Sequence, residues 1–252
     1  MKRRDFLQST FTSAGTLLLS SAAVAQVQTA AAAAPGTSAS GLPTLRKLST
    51  DLLIVGGGMA GVCAALTAAR NGTKVILVQD RSVLGGNASS EVKMHIVGAD
   101  CSGSRPGVRE SGLIEELRLE DAARNPQRCY PLWDLLMYEK VQLHPNITLM
   151  LDSDCIGCTV TMEGGQRRIA SARVTRGMTE EVFEITASYF ADCSGDSRLA
   201  VEAGADFTVG REDNLTYLED LALDTADKQT LGSSILFTAK KHDQPMPFIR
   251  PE

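Results

Sequence analysis

The chain has 252 residues, 43% of them hydrophobic and 22% charged, with a formal net charge of −5. Mild acidity without a basic block offers nothing to a phosphate backbone, so nucleic acid is not an expected partner. Six cysteines scattered through so long a chain are not the framework of a small disulfide-stapled domain.

Residues 1–25 have the pattern of a targeting segment and stand apart from the fold. Lys2, Arg3 and Arg4 make a basic start, a weakly apolar run covers 11–24, and Ala23 and Ala25 suit an A-x-A cut after Ala25. The run is too short and too polar for a membrane span. Arg3, Arg4, Phe6 and Leu7 form R-R-x-F-L, which resembles the twin-arginine export signal; Lys2 and Gln8 depart from it. A general secretory signal and a tethered precursor are the alternatives. The resemblance implies the twin-arginine export machinery as a partner and an exported location, periplasmic or secreted. Residues 26–44, rich in Ala, Ser, Gly and Pro, have too little apolar surface for a core and read as a flexible linker.

A folded domain is expected over 45–213. Residues 52–55 are a short apolar run, the mark of a strand buried on both faces. Gly56, Gly57 and Gly58 follow at once, then an Ala-rich helix over 59–70, stopped at Asn71-Gly72. Residues 74–78 are a second buried strand. This is a βαβ unit with G-x-G-x-x-G between its first strand and its helix. Gly56 permits the sharp turn, Gly58 lets a pyrophosphate approach the backbone, and Gly61 allows close packing of helix on sheet. The helix start, with Met59 and Ala60, points free N–H groups at the phosphates.

At the end of the second strand stand Gln79, Asp80 and Arg81. An acid here usually accepts from the adenosine ribose hydroxyls, so Gln79 or Asp80 could take that role. A 2′-phosphate would be repelled by Asp80 and drawn to Arg81, which leaves the choice of dinucleotide open by charge alone. Leu84, Gly85 and Gly86 follow, then Asn87. The stretches VLGGNASSEVKMHI and ADCSGDSRLAVEAGADFTVGRED resemble a family of FAD-dependent oxidoreductases, many of them exported. The resemblance runs over about 52–213. It implies the glutathione-reductase-like fold, FAD as cofactor, Gly85 and Gly86 against the pyrophosphate and isoalloxazine, Gly195 meeting the flavin, and Asp196 bonding a ribityl or ribose hydroxyl.

Between those motifs, two helices are predicted in RESGLIEELRLEDAARN and PLWDLLMYEKVQL, the second stopped by His144-Pro145. NITLMLDSD reads as a strand. Alternating stretches over 159–162, 168–175 and 182–186 predict a three-stranded antiparallel excursion, and SYFADC a buried strand returning to the parallel sheet. The fold class is therefore α/β: a Rossmann-like parallel sheet with an antiparallel β excursion. Residues 214–252 read as the start of a substrate-binding domain, apparently truncated, with GSSILFTAKK as its first strand. A missing C-terminal half or a partner chain is the corresponding expectation.

His95 follows the flavin-facing loop and is the candidate for proton transfer, although a lone His is as readily packed or solvated. Arg105 and Arg109 could clamp a substrate carboxylate. Cys155 and Cys158 form C-x-x-C, but they precede a β-rich stretch, so an inert disulfide or two packed thiols is the simpler reading. No metal site is indicated, since structural zinc needs four ligands. The function expected is oxidation or reduction of a small organic substrate by an exported FAD enzyme. A non-catalytic or truncated dinucleotide-binding module and an NAD(P)-dependent dehydrogenase are the alternatives.

Overall fold

Strand β1, Leu45–Val55, carries the sheet on both of its edges. The computed structural model describes residues 45–96, 108–232, 236–237 and 239–250; the expected targeting segment 1–25 and the expected linker 26–44 lie outside them. On one side β1 pairs in parallel with β2, Val75–Val78, which pairs in parallel with β3, Ile147–Met150. On the other it pairs in parallel with β6, Glu181–Asp192. Strands β4, Ser153–Glu163, and β5, Gln166–Arg176, complete the six-stranded sheet as an antiparallel excursion, in the order β3-β2-β1-β6-β5-β4.

Between β1 and β2 runs helix α1, Met59–Arg70, rich in alanine and free of any β-branched run. It buries Gly61, Val62, Ala65, Leu66 and Ala69, the one-face spacing of an amphipathic helix. Asn71 closes it, its side-chain amide donating to the Thr67 carbonyl at 2.8 Å. Helices α2, Leu113–Arg124, and α3, Tyr130–Gln142, lie between β2 and β3 in the chain. Their Leu117, Trp133, Leu136, Met137 and Val141 join α1 and Ile54 in one core cluster. Because side chains alternate along a strand, Leu53 and Val55 point the other way. They form a second cluster with Ile76, Val78, Phe183, Ile185 and Leu199 of the short helix α4, Arg198–Glu202.

The predicted α/β architecture is present, with local differences. Strand β1 begins at Leu45 rather than residue 52, because its alternating first half pairs with the first half of β6, Leu45 opposite Val182. The last strand of the excursion and the returning strand are one continuous element. β6 pairs with β5 up to Thr186 and with β1 through to Asp192, so no turn is needed. Its SYFADC portion is not buried: Tyr189 is 74% exposed, opposite Leu52 in the register. Beyond α4 comes helix α5, Asn214–Tyr217, capped by Asp213. The strand expected over 232–241 falls partly outside the described residues, and those described there are in no strand.

Candidate functional site

The carboxyl ends of β1 and β6 and the loop after β2 converge on the start of α1. Gly56 leaves β1 with φ +103°, and a Cβ there would run into the Cys193 carbonyl. Glycine therefore serves both the turn and the close approach of β1 to the end of β6, where the Cys193 N–H donates to the Val55 carbonyl at 2.7 Å. A Cβ on Gly61 would overlap the Gly56 carbonyl oxygen, so the helix sits as close to the turn as backbone allows. A Cβ on Gly58 would meet nothing within 4 Å. Gly58 is the N-cap of α1, which has no side-chain cap and no acidic residue in its first turn. The amides of Met59, Ala60 and Gly61 find no acceptor within the helix, since the first such bond is Val62 N–H to Gly58. The result is an uncapped helix start above open space.

Gln79 ends β2 and is turned inward, only 3% exposed. Its Oε1 accepts from the Gly57 N–H at 2.6 Å, and its Nε2 donates to the Val83 carbonyl at 3.1 Å. Asp80 and Arg81 are exposed. Arg81 is engaged, donating to Glu91 at 3.0 Å.

The Gly85-Gly86 loop packs on the glycine turn. The Gly85 N–H donates to the Gly57 carbonyl at 2.8 Å, and a Cβ on Gly86 would come within 3.2 Å of the Gly58 Cα. Helix α3 supports this loop from beneath. A Cβ on Gly85 would lie 2.6 Å from the Met137 methyl, and the buried Asp134 carboxylate accepts from the Ser90 N–H at 3.0 and 3.2 Å. Asn87 is exposed, and its carbonyl accepts from the Met94 N–H at 2.9 Å. His95 is exposed a few residues on, beside a cavity lined by Trp133.

The loop 193–197 is organised by Asp192, a residue the sequence reading passed over although it is the first acid of the D-x-S-G-D pattern. Its carboxylate accepts from the Ser194 N–H and hydroxyl at 3.0 and 2.6 Å and from the Ala200 N–H at 2.7 Å. Burial pushes this carboxyl up, but the Ser194 and backbone hydrogen bonds outweigh it and hold it below the ordinary value. Gly195, at φ +87°, and Asp196 stand exposed, and a Cβ on Gly195 would meet nothing within 4 Å. Arg198 fastens α4 to β4, donating to the carbonyls of Cys155 at 3.0 Å and Ile156 at 3.2 Å.

Other candidates lie elsewhere. Arg105 is outside the described residues, and Arg109 is paired with Glu115. Cys155 and Cys158 are free thiols on β4, packed in or against the second core cluster. Burial pushes both thiols up, which disfavours the thiolate that redox exchange needs. The bulge between Cys155 and Gly157 explains how both reach one face. His144 sits just past α3, its Nδ1 accepting from the Asn146 N–H at 3.3 Å.

An uncapped helix start, a backbone left open at Gly58 and Gly195, and two glycine loops in contact suit a dinucleotide pyrophosphate. A family model described as FAD dependent oxidoreductase matches residues 51–250. A 99-residue stretch is 39% identical to the digoxin reductase of Eggerthella lenta, covering 35% of this chain and 17% of that protein. The chain therefore matches about a sixth of the length of this curated relative. Among solved structures, Thermovibrio ammonificans THI4 is similar at a TM-score of 0.45 and 20% identity, over 71% of this chain and 76% of that one. The myxobacterial chondrochloren halogenase CndH, a variant of FAD-dependent halogenases, is similar at a TM-score of 0.44 and 15% identity, over 66% of this chain and 41% of that one. With a family match over most of its length, and a glycine-lined helix start of the kind such a cofactor needs, the chain belongs to the FAD dependent oxidoreductase family.

Proposed function

We propose that this chain is the flavin-holding part of an oxidoreductase that acts on a small organic substrate and is exported already folded around its FAD. The observation that carries the reading is the uncapped start of α1 above Gly58, faced by Gly85-Gly86. When bound, FAD supplies the ring that takes up or gives up the electrons. The protein's part is to hold and orient it. Residues 56–61 offer backbone N–H groups and a helix dipole to the pyrophosphate. Asp80, exposed at the end of β2, is the residue assigned here to accept from an adenosine ribose hydroxyl, while Gln79 holds the turn from inside. Arg81 is neutralised by Glu91, which leaves Asp80 to repel a 2′-phosphate and favours FAD over NADP. Gly195 and Asp196, held by Asp192, are available to the ribityl chain.

The likeness to a digoxin reductase supports an organic substrate, with reduction as the direction of transfer. The paired Arg3 and Arg4 support export through the twin-arginine machinery, which carries folded cargo, to the periplasm or beyond. A protein that needs a cytosolic cofactor gains from that route. The test is a visible absorption spectrum of the full chain isolated from the export compartment, with the released chromophore identified by mass. An oxidised-flavin spectrum and the mass of FAD are expected. A colourless protein that also refuses added FAD would overturn the reading and return the chain to the class of dinucleotide-binding modules without their own turnover.

A further inference from the structure

Helices α2 and α3 and the loop over 88–96 line an open cleft of about 660 Å³ that the flavin reading does not use. The volume lies in the range of small-molecule sites, roughly 300–1,000 Å³. One wall is apolar: Trp133, 7% exposed, with Met94 and Ile96. The other carries Arg118 of α2 and Arg128 of the turn into α3.

Neither arginine has a counter-ion among the described residues, a condition they share with Arg167, Arg173 and Arg250, but they alone of these five line this cavity. Nine other arginines among the described residues are ion-paired with a carboxylate. Arg118 lies on a helix rich in acids, yet every nearby glutamate is taken by another cation. Glu115 is paired with Arg109, Glu116 with Arg70 and Lys140, and Glu120 with Arg124 and Lys140. Asp121, the one acid lining the cavity, accepts instead from the Asn125 side-chain amide at 2.9 Å. Arg128 is held at φ +53°, a conformation rare for a residue with a side chain. Asn125 imposes it: 2% exposed, it donates to the Cys129 carbonyl at 2.9 Å and accepts from the Cys129 N–H at 2.8 Å. The turn is built, and it carries an unpaired guanidinium at the cavity wall.

We propose that this cavity binds an apolar carboxylate, its hydrocarbon or aromatic body against Trp133, Met94 and Ile96 and its carboxylate on the guanidinium groups of Arg118 and Arg128. Guanidinium is the group best matched to a planar carboxylate, and an apolar wall beside it selects against small hydrophilic anions. The inference stands apart from the flavin reading, since it requires no bound cofactor.

Trp133 is the chain's single tryptophan, so its emission reports on this cavity alone. The experiment titrates the full chain, with and without added FAD, with 3-phenylpropanoate and with its uncharged analogue 3-phenylpropanamide. Trp133 fluorescence and calorimetry are read in parallel. The carboxylate is expected to change Trp133 emission and to bind about tenfold tighter than the amide, the worth of one charge-assisted hydrogen-bonded contact. Arg118→Gln and Arg128→Gln are each expected to weaken the carboxylate while leaving amide binding and the far-ultraviolet dichroism unchanged. Equal affinity for the two probes overturns the proposal. So does carboxylate binding that ignores both substitutions, or heat of binding without any change in Trp133. Discrimination that persists in a protein refusing FAD sustains the proposal while the flavin reading fails.

Discussion

Gly58 and Gly61 are both glycines of one turn, yet they face opposite demands. Gly61 is closed in by the Gly56 carbonyl, whereas Gly58 faces open space. Gly61→Ala must push helix from sheet and is expected to cost about 1–3 kcal/mol of stability. Gly58→Ala is expected to cost about 1 kcal/mol or less, the scale of an N-cap change. It should nonetheless weaken FAD at least about tenfold, because its methyl group fills the space a phosphate needs. Thermal melts with FAD titrations of the two variants separate these outcomes. Gln79 supplies a related test. Gln79→Leu strips the buried Gly57 N–H and the Val83 carbonyl of their partners, at about 1–3 kcal/mol. Gln79→Glu keeps the acceptor for Gly57 but loses the donor to Val83, so its denaturation midpoint should fall between the wild type and the leucine variant.

The helices form a unit through Glu116. Its carboxylate accepts two bonds of 2.7 Å from Arg70 of α1 and one of 3.3 Å from Lys140 of α3. The Arg70 hydrogen bonds foremost, with Lys140, hold Glu116 at about 2, below the ordinary 4.5. A carboxyl lowered by folding stabilises the native state above its unfolded value and loses that contribution as pH falls through its folded value. The melting-temperature difference between wild type and Glu116→Gln should therefore be full at neutral pH and shrink from pH 4.5 toward about 2. Both side chains of the Arg70 pair are about 40% exposed, at 43% and 40%, so solvent screening limits the effect. A loss near ~0.5–1 kcal/mol is expected. It joins α2 to both α1 and α3.

For the whole molecule, FAD that binds only the folded state should raise its stability. At a hundredfold excess over the dissociation constant the gain is about 2.7 kcal/mol. In a domain of this size that is roughly 5–10 °C in Tm. Differential scanning with and without FAD checks it, and Gly58→Ala, if it binds about tenfold more weakly, should keep only about half of the gain at the same FAD concentration, about 1.4 kcal/mol.

The order of the elements could be read from the amino-acid sequence alone: an apolar run, three glycines, an Ala-rich helix, a second apolar run, two helices, and alternating strands. These signals are local, since helix and strand periods, caps and turn glycines act over a few residues. The G-x-G-x-x-G spacing belongs to the same class, because Gly56 and Gly61 meet within one turn of chain and helix. What the tertiary structure decided depends on partners far apart in the chain. Gln79 turns inward because Gly57, 22 residues earlier, presents its N–H. The Gly85-Gly86 loop is steadied by Asp134, 44 residues beyond Ser90. β6 runs unbroken because β1 lies alongside its full length, which no pattern within β6 discloses. Glu115, one helical turn before Arg118, is paired with Arg109, an arginine that stands outside the helix. Local sequence chose the elements. Long-range competition for hydrogen bonds and charges chose which side chains were left facing the site.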